Sequence, residues 1–156
     1  MKYIDGGVTS PKGFKAANIA AGIKYAGRDD MAMVVSEVPC VSAATFTTNV
    51  VKAAPVIFDK KLVDEAAPIQ AVVINAGIAN ACTGKEGFDC CEATAKAAAK
   101  ILDIPENATA VASTGVIGFK IPVDKISAGV ENMKPLLSDS REAGHKAACA
   151  IMTTDT

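Results

Sequence analysis

"PIQAVVINAGIANACTGKEGFDCCEATAKAAAKIL", residues 68–102, contains a buried strand, a turn of small residues and an amphipathic helix in direct succession. The apolar run at residues 68–75 predicts a strand that is covered on both faces. In residues 85–102, apolar side chains recur at three- and four-residue spacing, which predicts a helix with one buried stripe. That stripe consists of Phe88, Cys91, Ala95, Ala98 and Leu102. A strand that leads directly into a long helix is typical of layered α/β proteins.

The other strands are predicted from apolar runs that are rich in β-branched residues. These runs occupy residues 31–38, 41–51 and 108–114. Residues 54–67 are interpreted as a strand followed by a short helix near residues 60–66. The chain before the first of these runs is rich in Gly and other small residues, which predicts turns around a short extended piece.

Two further helices are predicted, at residues 122–137 and 139–152. In the first, Pro135 is expected to kink or fray the last turn, because proline cannot donate the helical hydrogen bond. In the second, Asp139 and Glu142 have the spacing of a capping box. This alternation of strands and helices predicts an α/β or α+β fold, organised as a single domain over residues 1–156.

Composition and charge exclude several classes of function. Half of the 156 residues are hydrophobic, and the net charge is -1 with no cluster of Lys or Arg. A nucleic-acid partner is therefore not expected, because phosphate binding requires a basic surface. The apolar runs are too short to cross a membrane, and the first residues resemble neither a secretory signal nor a transit peptide. We therefore expect a cytoplasmic protein.

The cysteines and the single histidine do not form a recognisable metal or catalytic motif. The five cysteines include no C-x-x-C spacing, so they are interpreted as reduced, small apolar side chains. A Ser-His-Asp triad or a Cys-His dyad would have to use His145, because it is the single histidine in the sequence. No G-x-S-x-G nucleophile elbow is present. A solvent-facing helix position is the alternative that we favour for His145. No metal and no cofactor are expected.

The turn at residues 75–87 resembles a phosphate-binding loop only superficially. Gly84 and Lys85 follow an apolar strand and open a helix, as in a Walker A motif. That motif, however, requires Gly at the position of Ala79 and Ser or Thr at the position of Glu86. Glu86 would place a carboxylate beside the phosphates. We therefore interpret this turn as support for a different site.

"ASTGVIG", residues 112–118, is the strongest candidate for a catalytic turn. A strand that ends in Ser-Thr-Gly can direct the Gly115 backbone N–H and the Thr114 hydroxyl towards one point. Such preformed donors are what an oxyanion hole requires. An ordinary glycine turn is the alternative from these residues alone. Hydroxyl groups that are candidates for lining a polar pocket occur at Thr47, Thr48, Thr153 and Thr154, although β-propensity also explains them.

Five motifs in this order resemble the α portion of glutamate N-acetyltransferase, also called ornithine acetyltransferase, of the ArgJ family. They are "GGVTSPKGFKAA", "SEVP…AATFTTNVVKAAPV", "VVINAGIANACTG", "ASTGVIG…IP" and "AAxAIMTTDT". The resemblance covers nearly all 156 residues. It implies a layered α/β/β/α sandwich with mixed sheets, similar to the ArgJ and DmpA folds.

The resemblance also implies a mechanism and partners. Members are cut at an Ala-Thr bond into an α and a β chain, and a heterotetramer of two α and two β chains is expected. The new N-terminal Thr of β attacks N-acetylornithine and passes the acetyl group to glutamate. Some members also accept acetyl-CoA. On this basis, Thr114 and Gly115 form the oxyanion hole, and Thr153, rather than Thr154, binds substrate.

The sequence also departs from the family pattern. Ile78 stands where an Asn is expected, and Asn18 where a Gly is expected. The family's cleavage site, nucleophilic Thr and substrate-binding Lys fall after residue 156, so we expect a truncated α chain that is inactive alone and exposes an apolar face to β. The alternatives are a self-processing aminopeptidase of the related fold and a non-catalytic subunit.

Overall fold

The computed structural model describes residues 5–24 and 26–153, in which one sheet is packed against four helices. The strands are β1 (Phe14–Ile19), β2 (Met31–Cys40), β3 (Ile69–Asn75) and β4 (Thr109–Ser113). They lie side by side in chain order; β1, β2 and β3 pair antiparallel, and β3 pairs with β4 in parallel. The helices are α1 (Ala54–Asp64), α2 (Gly84–Leu102), α3 (Val123–Met133) and α4 (Arg141–Ala150). Short 3-10 turns span Glu106–Ala108 and Lys134–Leu136.

One face of the sheet carries the main core. The register aligns Ala17, Met33, Val73 and Val111 across the four strands, so their side chains share this face. All four residues are buried beneath α1, α2 and α3. Methionine is the largest side chain that is fully buried here, which is consistent with the low aromatic content of the chain.

The opposite face is only partly covered. Helix α4 packs its small residues on Ala16 and Ala32, at the β1 and β2 end of the sheet. On β3, the residues of this face, Val72 and Ile74, are only half-buried, and on β4 Ala112 is exposed. A strip of apolar surface is therefore open along β3 and β4.

The predicted fold class is confirmed, since the sheet is mixed and the elements alternate as an α/β fold requires. Strand β3 and helix α2 lie where residues 68–102 predict them. The described residues, 5–24 and 26–153, supply one sheet of the layered sandwich that the resemblance implies. In this part of the chain, no helix is long and apolar enough to cross a bilayer.

Two of the predicted elements before β3 are wrong. Residues 41–51 form no strand; Val41 and Val50 are almost fully exposed, because no neighbouring strand pairs with them. Helix α1 begins at Ala54 instead of near residue 60. Pro55 occupies its first turn, where proline is tolerated, and Phe58 with Leu62 gives the helix a buried stripe.

The predicted capping box of the last helix is also wrong. The N-cap of α4 is Ser140, whose hydroxyl accepts a hydrogen bond from the Ala143 N–H at 3.1 Å. Asp139 lies one residue before the cap, so Glu142 is two residues after the N-cap rather than three. The last turn of the predicted helix at residues 122–137 departs from α-helical geometry, as Pro135 predicts: α3 ends at Met133 and the chain continues as a 3-10 turn from Lys134.

Candidate active site

Two turns meet beyond the carboxyl ends of β3 and β4. The Thr114 N–H donates to the Asn75 carbonyl at 3.0 Å, and the Val116 N–H donates to the Gly77 carbonyl at 3.2 Å. Ile78 forms an isolated parallel bridge with Val116. Because β3 and β4 are parallel, both turns leave the sheet at the same edge, where ligand sites of α/β folds are commonly built.

Gly115 makes the closest backbone approach in this pair of turns. A Cβ at this position would lie 2.3 Å from the Gly77 carbonyl carbon and 2.7 Å from the Ile78 nitrogen. Its φ of +134° also disfavours any other residue. Thr114 and Val116 use their N–H groups within the turn, whereas no acceptor in the described part of the chain takes the Gly115 N–H. That donor is therefore unused within the described residues, and Gly115 itself is exposed.

The three residues predicted for the site line one cavity of about 240 Å³. Thr114 and Gly115 form its wall at the end of β4, and Thr153 reaches it from the segment after α4. The structure thus brings together residues from two distant parts of the sequence. Their catalytic and binding roles remain predictions.

The cavity also has charged walls that the sequence did not predict. Lys24, Arg28, Asp29 and Asp30 line it from the loop between β1 and β2. Asp30 is buried, and its carboxylate accepts hydrogen bonds from the Ala21 and Ile23 N–H groups, which ties the beginning of the loop to its end. In the sequence, the only sign of this charged wall is the run of one Gly, one Arg and two Asp residues before β2. Such a run is typical of any turn, so it does not predict a site.

Two contacts join this loop to other parts of the molecule. One Arg28 Nη atom donates to the Met152 carbonyl at 2.6 Å and to the Thr153 carbonyl at 3.3 Å. The Asn18 amide donates to the Asp29 carboxylate at 2.5 Å. Asn18, where the resemblance led us to expect a Gly, therefore contacts the loop that carries the charged wall.

The turn at residues 75–87 connects the site to α2 and does not form a phosphate cradle. The buried Asn80 donates from its side chain to the Gly87 carbonyl and from its backbone to the Ser113 hydroxyl, both at 2.9 Å. Lys85 points away and pairs with Asp89 on the surface of α2. The turn therefore fixes the start of α2 against the end of β4, next to Thr114.

Comparison with known proteins assigns this architecture to a family. A model of the ArgJ family matches residues 15–156. The chain belongs to the ArgJ family. Arginine biosynthesis bifunctional protein ArgJ of Symbiobacterium thermophilum is 48% identical over the whole of this chain, which covers 39% of that relative. This ArgJ-family chain thus spans about two fifths of the length of the curated relatives it matches.

Two solved ArgJ-family structures share the fold, each with a TM-score of 0.90. Arginine biosynthesis bifunctional protein ArgJ of Bacillus halodurans is 43% identical; the match covers 97% of this chain and 78% of that one. Ornithine acetyltransferase of Mycobacterium tuberculosis, complexed with ornithine, is 45% identical, with coverages of 96% and 80%. These matches confirm the family resemblance and the α/β fold.

The remaining candidates of this ArgJ-family chain lie away from the cavity or outside the described residues. Thr47 and Thr48 are exposed in the irregular segment before α1, and neither lines the cavity. Thr154 lies outside the described residues. His145 is exposed on α4, as expected, with its Nε2 atom 3.6 Å from the Cys149 sulfur.

The buried cysteines behave as apolar core residues. Cys90 and Cys91 point into different hydrophobic clusters on either side of α2. Burial raises the pKa of the Cys91 thiol to about 12, so this thiol is neutral and unreactive at physiological pH. No group of three or more potential metal ligands occurs among residues 5–24 and 26–153.

Asp59 on α1 is a partly buried carboxylate beneath β4. Burial raises its pKa from 3.8 to about 6, an effect that the hydrogen bond from the Val111 N–H opposes. A folded-state pKa above the unfolded value means that the folded protein binds the proton more tightly. The contribution of Asp59 to stability is therefore lost as the pH rises from about 4 through about 6.

We expect Asp59→Asn to remove this pH-dependent loss, because the amide oxygen still accepts from Val111 and carries no charge to desolvate. In urea unfolding of the full-length protein, the variant should gain stability relative to the parent between pH 4.5 and pH 7. Asp64→Asn on the exposed side of α1 is the control. A parent and an Asp59→Asn variant with parallel pH profiles would contradict the assignment.

Proposed function

We propose that this chain contributes part of the active site of an ornithine acetyltransferase of arginine biosynthesis, which transfers acetyl from N-acetylornithine to glutamate. The proposal rests on one observation, which is that Thr114, Gly115 and Thr153 all line the same cavity. The names of the matched relatives support it, since they include an arginine biosynthesis bifunctional protein and an ornithine acetyltransferase.

In the proposed reaction, a threonine hydroxyl from the remainder of the protein attacks the acetyl carbonyl carbon of N-acetylornithine. The hydroxyl proton passes to that threonine's own N-terminal amine, which is proposed as the base, and the carbonyl electron pair moves to oxygen. The C–N bond then breaks as the amine base returns this proton to the leaving nitrogen, so ornithine departs with a free amino group and an acetyl-threonine ester remains. The neutral glutamate amino group attacks this ester through a second oxyanion, and its proton passes through the same base to the threonine oxygen, which leaves as N-acetylglutamate is released.

Thr114 and Gly115 are proposed to stabilise both oxyanions. The Gly115 N–H is available at the cavity, and the Thr114 side chain is only partly buried there. The backbone contacts of the turn with Asn75 and Gly77 fix these donors before substrate binds. Preformed donors of this kind stabilise the charge without reorganisation at the moment of reaction. Thr153, on the other wall, is proposed to bind substrate.

The nucleophile is proposed to come from a second chain of the same precursor. This chain covers 39% of a curated relative but about 80% of a solved chain, which supports processing into shorter chains. The open strip with Val72 and Ile74 is a surface suited to such a partner. Ile117 and Phe119 are exposed within a few residues of Gly115 and extend the apolar surface beside the site. A heterotetramer of two α and two β chains remains a prediction.

The test is an assay of the full-length protein with N-acetylornithine and glutamate, in which the formation of N-acetylglutamate is measured. Parallel reactions offer acetyl-CoA with glutamate, and a peptide amide in water. We expect acetyl transfer from N-acetylornithine and no peptide hydrolysis, whereas residues 1–156 alone should be inactive because the proposed nucleophile lies in the second chain. Hydrolysis of the peptide without acetyl transfer would assign the protein to the aminopeptidases, and inactivity of the full-length protein in every reaction would favour a non-catalytic role.

A further inference from the structure

The segment after α4 carries Thr153 to the cavity, and its position depends on contacts outside the helix. The helix ends at Ala150, and the Met152 N–H donates back to the Cys149 carbonyl. Beyond that turn, the carbonyls of Met152 and Thr153 both accept from Arg28. Arg28 therefore joins the loop between β1 and β2 to the segment that carries Thr153.

The loop that carries Arg28 is well anchored. The buried Asp30 accepts from two backbone N–H groups of the loop, and its own carbonyl accepts from the Ala76 N–H at 2.8 Å. Ala76 immediately precedes Gly77, whose carbonyl binds the turn of Gly115. The Arg28 guanidinium therefore extends from a loop that is hydrogen-bonded to Ala76, the residue next to the Gly77 carbonyl that supports the Thr114–Gly115 turn.

We propose that Arg28 is a positioning residue that sets the distance between Thr153 and the Thr114–Gly115 turn. One Nη atom of a guanidinium carries two N–H groups, so it can donate to two successive carbonyls, as Arg28 does here. This inference rests on the proposed function, in which Thr153 binds substrate. Arg28 acts through the backbone of the segment and does not itself take part in acetyl transfer.

The structural part of the proposal is tested without any activity measurement. In hydrogen–deuterium exchange of the full-length protein, Arg28→Ala should increase exchange in a peptide that covers residues 151–153. Arg141→Ala is the matched control, because Arg141 is the other arginine of residues 1–156 and pairs with Asp5 on the surface. Equal exchange of this peptide in the parent and Arg28→Ala would overturn the proposal, whatever the enzyme does.

The functional part is tested by steady-state kinetics and by titration calorimetry with ornithine. Arg28→Ala should raise the KM for N-acetylornithine and the Kd for ornithine about tenfold, with a much smaller effect on kcat, since a charge-assisted contact that only positions a binding group is lost. Arg28→Lys should recover part of the loss by donating to one carbonyl.

A double-mutant cycle with Thr153→Val separates positioning from direct contact with substrate. If Arg28 acts through Thr153, Arg28→Ala should add almost nothing to the KM of Thr153→Val. Full additivity, or unchanged binding in Arg28→Ala beside an active parent, would overturn the proposal while leaving the acetyltransferase assignment intact. An inactive parent that also fails to bind ornithine would refute the proposed function, and the exchange experiment would still decide whether Arg28 orders the segment.

Discussion

Replacing Thr114 by alanine in the full-length enzyme is expected to lower the turnover number by about 10²–10³-fold, the usual effect of losing one oxyanion donor. The change should be local. The Thr114 N–H, which alanine retains, already donates to Asn75, so the turn keeps its backbone contacts. The lost group is the side-chain hydroxyl at the cavity wall. Its effect should appear in kcat, because the oxyanion exists only in the transition state and the intermediates.

Thr114→Ser is the matched control for this prediction. Serine keeps the hydroxyl and removes only a methyl group from a half-buried position, so its kcat should stay close to that of the parent. Rates are measured with saturating N-acetylornithine and glutamate, and urea unfolding confirms that both variants are folded. A Thr114→Ala enzyme that turns over as fast as the parent would remove Thr114 from the oxyanion hole.

The sequence predicts those helices and strands in which apolar side chains follow a consistent pattern over a long stretch of residues. Helix α2 shows its apolar stripe over about four turns, and β3 is a mostly apolar run, so both are found. The first part of helix α1 was predicted as a strand because Val56 and Ile57 favour strands, whereas the buried pair Phe58 and Leu62 reveals a helix only once the partner surface is known. Tertiary packing overrides the local preference there.

The residues of the candidate site also fall into two groups: those that a local sequence pattern predicts, and those that reach the cavity only through contacts between distant parts of the chain. Thr114 and Gly115 could be predicted because a strand that ends in a glycine turn is a local pattern. The positions of Arg28 and Asp30 at the cavity could not be predicted, since their loop has no period and the contact of Arg28 with Thr153 joins residues at opposite ends of the chain. That contact exists only because β1 pairs with β2 and α4 packs across both strands.

Ile78 stands where the resemblance led us to expect an Asn, and the surrounding structure accommodates it. Its side chain is buried in the main core, while its backbone carbonyl accepts from the Asn75 side chain at 2.9 Å and from the Ser113 hydroxyl at 3.0 Å. The hydrogen bonds of the turn therefore use the backbone at this position. An apolar side chain is compatible with them, and the geometry next to Gly115 does not depend on an amide at residue 78.

Gly115→Ala is expected to be the most damaging single substitution at the site. The added Cβ would overlap the Gly77 carbonyl group, where only backbone movement can relieve the contact. The left-handed backbone conformation adds strain, and the two effects together should cost about 2–6 kcal/mol of the free energy of unfolding. The separation of the two turns should also widen, which moves the Gly115 N–H from its position at the cavity and lowers kcat in whatever protein remains folded.

Gly118→Ala separates the two contributions to this loss. Gly118 also has a positive φ, of +87°, but no atom lies within 4 Å of a Cβ built there. Its alanine variant should therefore lose only the strain part, about 1–3 kcal/mol. Both variants are compared by urea unfolding of the full-length protein. Equal losses would show that the two turns tolerate a wider separation, and the tight contact with Gly77 could then no longer explain why glycine occupies position 115.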